Sequence, residues 1–324
     1  MVALHDIEAA RRRIAGHLVR TPLLSSKSLS KQCGAPVFLK LENQQKTGSF
    51  KLRGATNAIL CLNDAARSRG LVTASTGNHG RAVAHAAKAL NGRATICLSA
   101  LVPANKVGAI QSLGADVRII GRSQDDAMRE VERLVREEGM CFVPPFDDAA
   151  VIAGQGTIGL EIADDLPEVA LVLVPLSGGG LASGVAAAIK GRRPQARVIG
   201  VSMERGAAMA KSLAAGAPTE VEELETLADS LGGGIGLDNR LTFGMCRGLL
   251  DEVVLLSEDE IAAGIRHMAM VEGEIVEGAG AVGISALLSG KVRPERPTAI
   301  IVSGGNIDPA VHRKIVDDIT AGVA

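Results

Sequence analysis

Lys51 stands in the run Thr47-Gly48-Ser49-Phe50-Lys51-Leu52-Arg53-Gly54, between a turn-like Thr-Gly-Ser and the apolar helical stretch Ala55–Leu62. A lysine at the mouth of a helix, beside the positive end of its dipole and next to Arg53, is expected to lose its proton more readily than a solvated one and to act as a nucleophile. Four Gly- and Ser-rich runs offer a second kind of chemistry: Ser75-Thr76-Gly77-Asn78-His79-Gly80, Ser177-Gly178-Gly179-Gly180-Leu181, Gly232-Gly233-Gly234-Ile235-Gly236 and Ser303-Gly304-Gly305-Asn306. Consecutive glycines between a strand and a helix let bare backbone N–H groups converge on a phosphate. The run at 177–181 follows the apolar Leu171–Pro175, whereas 232–236 has no clear strand before it. At Ser75–Gly80, hydroxyl and amide side chains gather where a helix starts.

A neutral lysine amine forms an imine with an aldehyde, and an aldehyde that also carries a phosphate is pyridoxal phosphate. Other motifs compete poorly. Gly278-Ala279-Gly280-Ala281-Val282-Gly283 fits the dinucleotide fingerprint, but a helical stretch precedes it, so it is expected to let two helices pack closely rather than to bind NAD. There is no P-loop, no His-Glu-x-x-His and no cluster with zinc-ligand spacing, so no metal is expected.

Composition narrows the partners. The 324 residues include no Trp and no Tyr, which removes stacking surfaces for single-stranded nucleic acid and removes Tyr as an acid or base. With 35 basic and 36 acidic residues the formal charge is −1, so neither nucleic acid nor an anionic membrane is expected as a partner. Five Cys is an odd count with no Cys-x-x-Cys spacing, as in a protein of reduced thiols. The chain opens on an amphipathic stretch, Asp6–Leu18, and has no apolar run of about 20 residues, so a cytoplasmic location is expected.

The elements that must position these residues alternate. Buried strands are expected at Pro36–Leu41, Leu71–Ala74, Ala94–Ser99, Asp116–Gly121, Leu171–Pro175, Arg197–Ser202, Val253–Ser257 and Thr298–Ser303. Helical periodicity runs through Gly80–Leu90, Gln124–Glu138, Glu258–Val271 and Asp308–Ile319. Near-continuous apolar strands alternating with helices predict an α/β fold of parallel sheets flanked by helices. Pro144 and Pro145 interrupt the pattern, and the expected division is a small domain, 65–145, inserted in a larger discontinuous one, 1–64 plus 146–324.

Five motifs in order, Ser49–Gly54, Ser75–Gly80, Gly154-Gln155-Gly156-Thr157, Ser177–Leu181 and Ser303–Asn306, resemble those of the fold-type II pyridoxal-phosphate enzymes, whose fold is similar to the tryptophan synthase β subunit. More narrowly, the chain resembles the serine/threonine dehydratases, which include serine racemase, from about Asp6 to Ile319. The resemblance implies that Lys51 carries the cofactor and acts as catalytic base, that Gly178, Gly179, Gly180 and Leu181 hold its phosphate, and that Phe50 packs beside it. It further implies that Asn78 bonds the ring hydroxyl, that Ser303 faces the ring nitrogen, and that Ser75, Thr76, Gly77 and His79 line the substrate carboxylate site. A small amino acid as substrate and a homodimer are implied as well. The expected reaction eliminates water from a β-hydroxy amino acid and releases a 2-oxo acid and ammonia.

Departures from the family frame two alternatives. Ser202 stands where racemase-like members carry a cation-binding Glu, with Glu204 a possible substitute, and Pro145-Phe146-Asp147-Asp148 is dehydratase-like. Thr76 points the other way, standing where racemases keep a Ser that reprotonates the second face, so serine racemisation is one alternative. The Gly-rich Ala228–Gly236 is similar to the branch acting in hydroxyectoine breakdown, which makes a hydroxyectoine-derived amino acid the other. Substrate preference is expected to lie in the Gly232–Gly236 and Pro145–Asp148 regions.

Overall fold

Leu171–Pro175 and Thr298–Val302 are buried at every position, as strands covered on both faces must be. The computed structural model describes residues 1–75, 77–102 and 104–318. Its strands are β1 (Leu23–Ser25), β2 (Val37–Leu41), β3 (Leu71–Ala74), β4 (Ala94–Leu98), β5 (Asp116–Ile119), β6 (Cys141–Phe142), β7 (Leu171–Pro175), β8 (Arg197–Met203), β9 (Glu252–Leu256) and β10 (Thr298–Val302). Its helices are α1 (Leu4–Ile14), α2 (Lys27–Cys33), α3 (Lys51–Cys61), α4 (Asp64–Ser68), α5 (Asn78–Ala89), α6 (Ala104–Ser112), α7 (Gln124–Glu138), α8 (Ala149–Asp165), α9 (Gly180–Arg192), α10 (Ala208–Ala215), α11 (Thr242–Leu249), α12 (Glu258–His267), α13 (Gly278–Leu288) and α14 (Pro309–Asp317).

The strands form two sheets. One has the order β1-β2-β10-β7-β8-β9 and is parallel except for the short edge strand β1; the other, β5-β4-β3-β6, is wholly parallel. Each therefore contains a place where the strand order reverses. In the larger sheet it lies between β7 and β10, and in the smaller between β3 and β6. Ligands of open parallel sheets bind outside the carboxyl ends of the strands at such reversals. The runs Ser177–Gly179 and Ser303–Asn306 leave β7 and β10 at those ends, and Ser75 leaves β3.

Each sheet has an apolar cluster on both faces, and α3 joins the two systems. Leu52, Ala55 and Ile59 share a cluster with Leu71 and Ile96 of the smaller sheet. On the other side Gly54 meets Gly154 of α8, where a Cβ on Gly154 would stand 2.6 Å from the Arg53 carbonyl oxygen. Helix ends follow their sequence signals: Ser123 with Asp126 and Ser257 with Glu260 form capping boxes, and Asp148 and Asp308 cap α8 and α14. The stretch expected as one helix to Val271 is α-helical to His267 and then makes a π-helical turn, Met268–Glu272. Ile319, the expected end of the last helix, lies outside the described residues.

Candidate active site

Lys51 is the first residue of α3. The turn before it is clipped to the exit of β10: Phe50 N–H donates to Ser303 O at 3.0 Å, Gly305 N–H to Gly48 O at 2.9 Å, and Ser49 bridges Gly304. The Lys51 ammonium donates to Pro145 O at 2.7 Å and stands 5.4 Å from the Phe50 ring centroid. Burial pushes its pKa down to about 8, opposed by the Glu277 carboxylate. Arg53, expected to contribute to that lowering, does not. It is turned into the protein, where Glu42 and Glu161 neutralise it.

The glycine run after β7 makes the turn into α9. Gly179 has φ +87°, and a Cβ there would meet the Met209 methyl at 2.7 Å and Cys246 Sγ at 3.0 Å. A Cβ on Gly178 would lie 2.5 Å from the Phe146 ring, and one on Gly180 would lie 3.0 Å from the Phe146 backbone. Phe146 thus lies against one side of the turn and α11, with Cys246 and Thr242, against the other. The N–H groups of Gly178, Gly179, Gly180 and Leu181 are in buried residues and find no acceptor among the described residues. Buried N–H groups without acceptors at the start of a helix are a site for an anion.

A chain of polar groups converges between β3 and β10. Asn78 Nδ2 donates to Glu277 Oε1 at 2.7 Å, and Asn306 Nδ2 donates to Asn78 Oδ1 at 2.6 Å and to Thr47 O at 2.9 Å. Arg81 closes the chain on Asn306 Oδ1 at 2.9 Å. Glu277 is the N-cap residue of α13 and is buried; burial first, and the charge of Asp229 second, push its carboxyl up to about 7. His79 is buried with Nε2 2.9 Å from Val143 O, so the ring proton sits on Nε2 and Nδ1 is an acceptor without a partner. Burial, then the Lys51 charge, push His79 down to about 3, which keeps the ring neutral. A neutral acceptor suits a hydroxyl or an N–H of a ligand better than the carboxylate the sequence suggested for it.

Of the other expected residues, Ser303 is buried and donates to Ala279 O at 3.2 Å, Ser75 and Gly77 flank the start of α5, and Thr76 lies outside the described residues. Glu277 was missed by sequence reasoning. The signal available was an acid directly before a glycine-rich helix start, in a segment read only as packing. That segment packs on two sides: Cβ atoms on Gly280 and Gly283 would strike Gly304 O and Ile300 Cγ2, both at 2.4 Å, so these glycines face β10 and its exit, while the expected close helix–helix contact is made to α12, where a Cβ on Gly264 would stand 3.0 Å from Ala281 O. Gly154 and Gly156 likewise serve close helix packing, against α3 and α9. Ser202 is buried with its hydroxyl on Met203 Sδ at 3.3 Å, and Glu204 pairs with Lys291 at 3.5 Å.

A half-buried lysine with a lowered pKa, an acceptor-free cluster of N–H groups, and orphaned buried hydroxyls on Thr47 and Ser49 beside that lysine fit a group bearing both an aldehyde and a phosphate. Comparison with known proteins agrees. Residues 14–304 match the family described as pyridoxal-phosphate dependent enzyme. A Sinorhizobium fredii protein with a provisional threonine dehydratase name is 60% identical over 98% of this chain and 96% of its own. A Thermotoga maritima L-threonine ammonia-lyase is 43% identical over 98% of this chain and 79% of its own. The structure of maize serine racemase superimposes with a TM-score of 0.92 at 34% identity, covering 97% of this chain and 96% of that one.

Proposed function

The chain belongs to the pyridoxal-phosphate dependent enzymes, and we propose that it is the dehydratase of a β-hydroxy amino acid of the threonine/serine class, yielding a 2-oxo acid and ammonia. The observation that carries this reading is the lowered Lys51 amine at the mouth of α3, in a site that also holds the acceptor-free glycine turn. When bound, pyridoxal phosphate supplies an aldehyde carbon that takes an amino group and a conjugated ring that withdraws electrons from Cα.

The chain's own residues then divide the work. Gly178–Leu181 would hold the phosphate by backbone N–H groups. Lys51 would hold the aldehyde and, as a neutral amine, take the α-proton. Asn78, its carbonyl already engaged by Asn306, keeps one amide hydrogen for the ring hydroxyl. Ser303 would face the ring nitrogen; a hydroxyl there, unlike a carboxylate, does not stabilise a ring cation, which would favour prompt loss of the β-hydroxyl. Phe50 would pack beside the ring, Ser75 and Gly77 would take the substrate carboxylate, and neutral His79 would offer an acceptor to the substrate's hydroxyl. Residues 65–145, carrying the smaller sheet, are the unit that closes on the rest. The active species is a homodimer in the cytoplasm; no described helix is long and apolar enough to cross a membrane.

Lys51→Ala is the direct test: the variant should lose both the borohydride-sensitive visible band and 2-oxo acid production, and retention of both defeats the assignment. A panel of threonine, serine, hydroxyaspartate and hydroxyectoine-derived acids, read as 2-oxo acid and ammonia, sets the substrate. Assay of D-serine against pyruvate from L-serine separates elimination from racemisation, for which Thr76 is the candidate second-face group.

A further inference from the structure

The segment from Val143 to Asp148 crosses from the smaller sheet to α8 and touches the site along its length. Val143 O accepts from His79, Pro145 O accepts from Lys51, and Phe146 lies against Gly178 and Gly180. Asp147 fastens this strap. Its Oδ2 accepts from Arg240 N–H at 2.7 Å, and its Oδ1 accepts from Leu241 and Thr242 N–H, both at 2.9 Å. These are the N–H groups at the start of α11, a helix whose own N-cap residue, Leu241, has no side chain able to accept them. The cap of these three N–H groups therefore comes from another part of the chain, Asn239 Oδ1 taking only the next one, Phe243 N–H, at 2.8 Å, and the helix so capped carries Thr242 and Cys246, which back Gly179 from the side opposite Phe146.

We propose that Asp147 is a positioning residue: by tying α11 to the strap it holds Phe146 and α11 at the spacing that keeps the Gly178–Leu181 N–H groups converged on a phosphate. The inference rests on the reading of that turn as the phosphate site. A carboxylate is required because three N–H groups converge on it. Asn presents one acceptor oxygen and turns an N–H toward other N–H groups, and Glu keeps the charge but displaces it by one methylene.

The test compares cofactor affinity with stability in the full-length protein. Pyridoxal phosphate binding is titrated by its visible absorbance in the parent, Asp147→Asn, Asp147→Ala, Asp147→Glu and Ser257→Ala, the last uncapping α12 as a control for cap loss alone. Asp147→Asn should weaken binding by about tenfold or more, with Asp147→Glu in between, while Ser257→Ala lowers the melting temperature and leaves affinity at the parent value. Should Asp147→Ala not fold, the Asn and Glu variants carry the comparison. Affinity of Asp147→Asn equal to that of the parent, or lost equally in Ser257→Ala, overturns the inference. A parent that binds no pyridoxal phosphate overturns the reading of the site instead.

Discussion

Asn78 and Glu277 lie 199 positions apart and share a hydrogen bond of 2.7 Å from amide to carboxyl, joining the start of α5 to the start of α13. With Asn306 on the Asn78 carbonyl oxygen, the amide is held at both ends and cannot flip without setting donor against donor.

Glu277 and His79 should show opposed pH signatures in the cofactor-free protein. Glu277 is raised from 4.5 to about 7, so the folded state keeps its proton longer and stability is lost as pH climbs through that window. His79 is lowered from 6.5 to about 3, so stability is lost as pH falls from 6.5 toward 3. Between pH 4.5 and 6.5 these slopes oppose each other. Glu277→Gln should leave the His79 slope uncovered, and unfolding free energy should then rise, relative to the parent, by about 1.4 kcal/mol per pH unit across that range. Denaturant melts at four pH values would show it, and parallel curves for variant and parent would count against it.

Lys51 should be the fastest lysine to react with amine-directed reagents at pH 8. An amine with a pKa of about 8 is half neutral there, against about 0.3% for an ordinary lysine. Peptide mapping after brief labelling of cofactor-free protein should find Lys51 modified first. Bound pyridoxal phosphate should protect it.

The contact between Gly178 and Phe146 should appear as coupling. Gly178→Ala drives a methyl into the ring and should cost about 1–3 kcal/mol. In the Phe146→Ala background most of that cost should vanish, since the atoms in the way belong to the ring. Strict additivity in a double-mutant cycle would remove Phe146 as the floor of the turn.

Arg53 should prove a stability residue of unusual weight. It bonds Glu42 through Nε and Nη2, both at 2.8 Å, and Glu161 through Nη1 and Nη2 at 2.7 and 2.9 Å, while Lys40 completes a balanced buried set of two cations and two anions. Arg53→Met leaves two carboxylates facing one ammonium and should cost about 3–5 kcal/mol. Arg53→Lys should recover little, because an ammonium cannot span both carboxylates. Urea midpoints would measure each.

All eight expected strands occur, within a residue or two at each end, most of them because burial on both faces writes a continuous apolar run; β5 is the exception, an edge strand with no buried residue where a buried strand was expected. β1 and β6 were not legible, being three and two residues long with no period to read. Lys51 and the glycine turn stood out because their chemistry is local, a lysine at a helix mouth and glycines at a strand exit. Glu277 did not, because its significance arises only where Asn78, Asn306 and Asp229 come near it through the fold. Arg53 was misread for a related reason: adjacency to Lys51 in sequence suggested mutual influence, but helix geometry sends residues two apart to different faces.

Helix α3 has consequences for how this enzyme can change over evolutionary time. Residues 52–57 are all buried, with one side committed to α8 and the other to the smaller sheet. A lineage exploring new substrates has no free face on that helix to vary. The room for drift lies in the loop at 232–236, at Gly234, where a Cβ would meet almost nothing, while Gly233 and Gly236, at φ +90° and +81°, keep the loop's course. New specificity in this scaffold should therefore accumulate there, while the reactive lysine stays fixed.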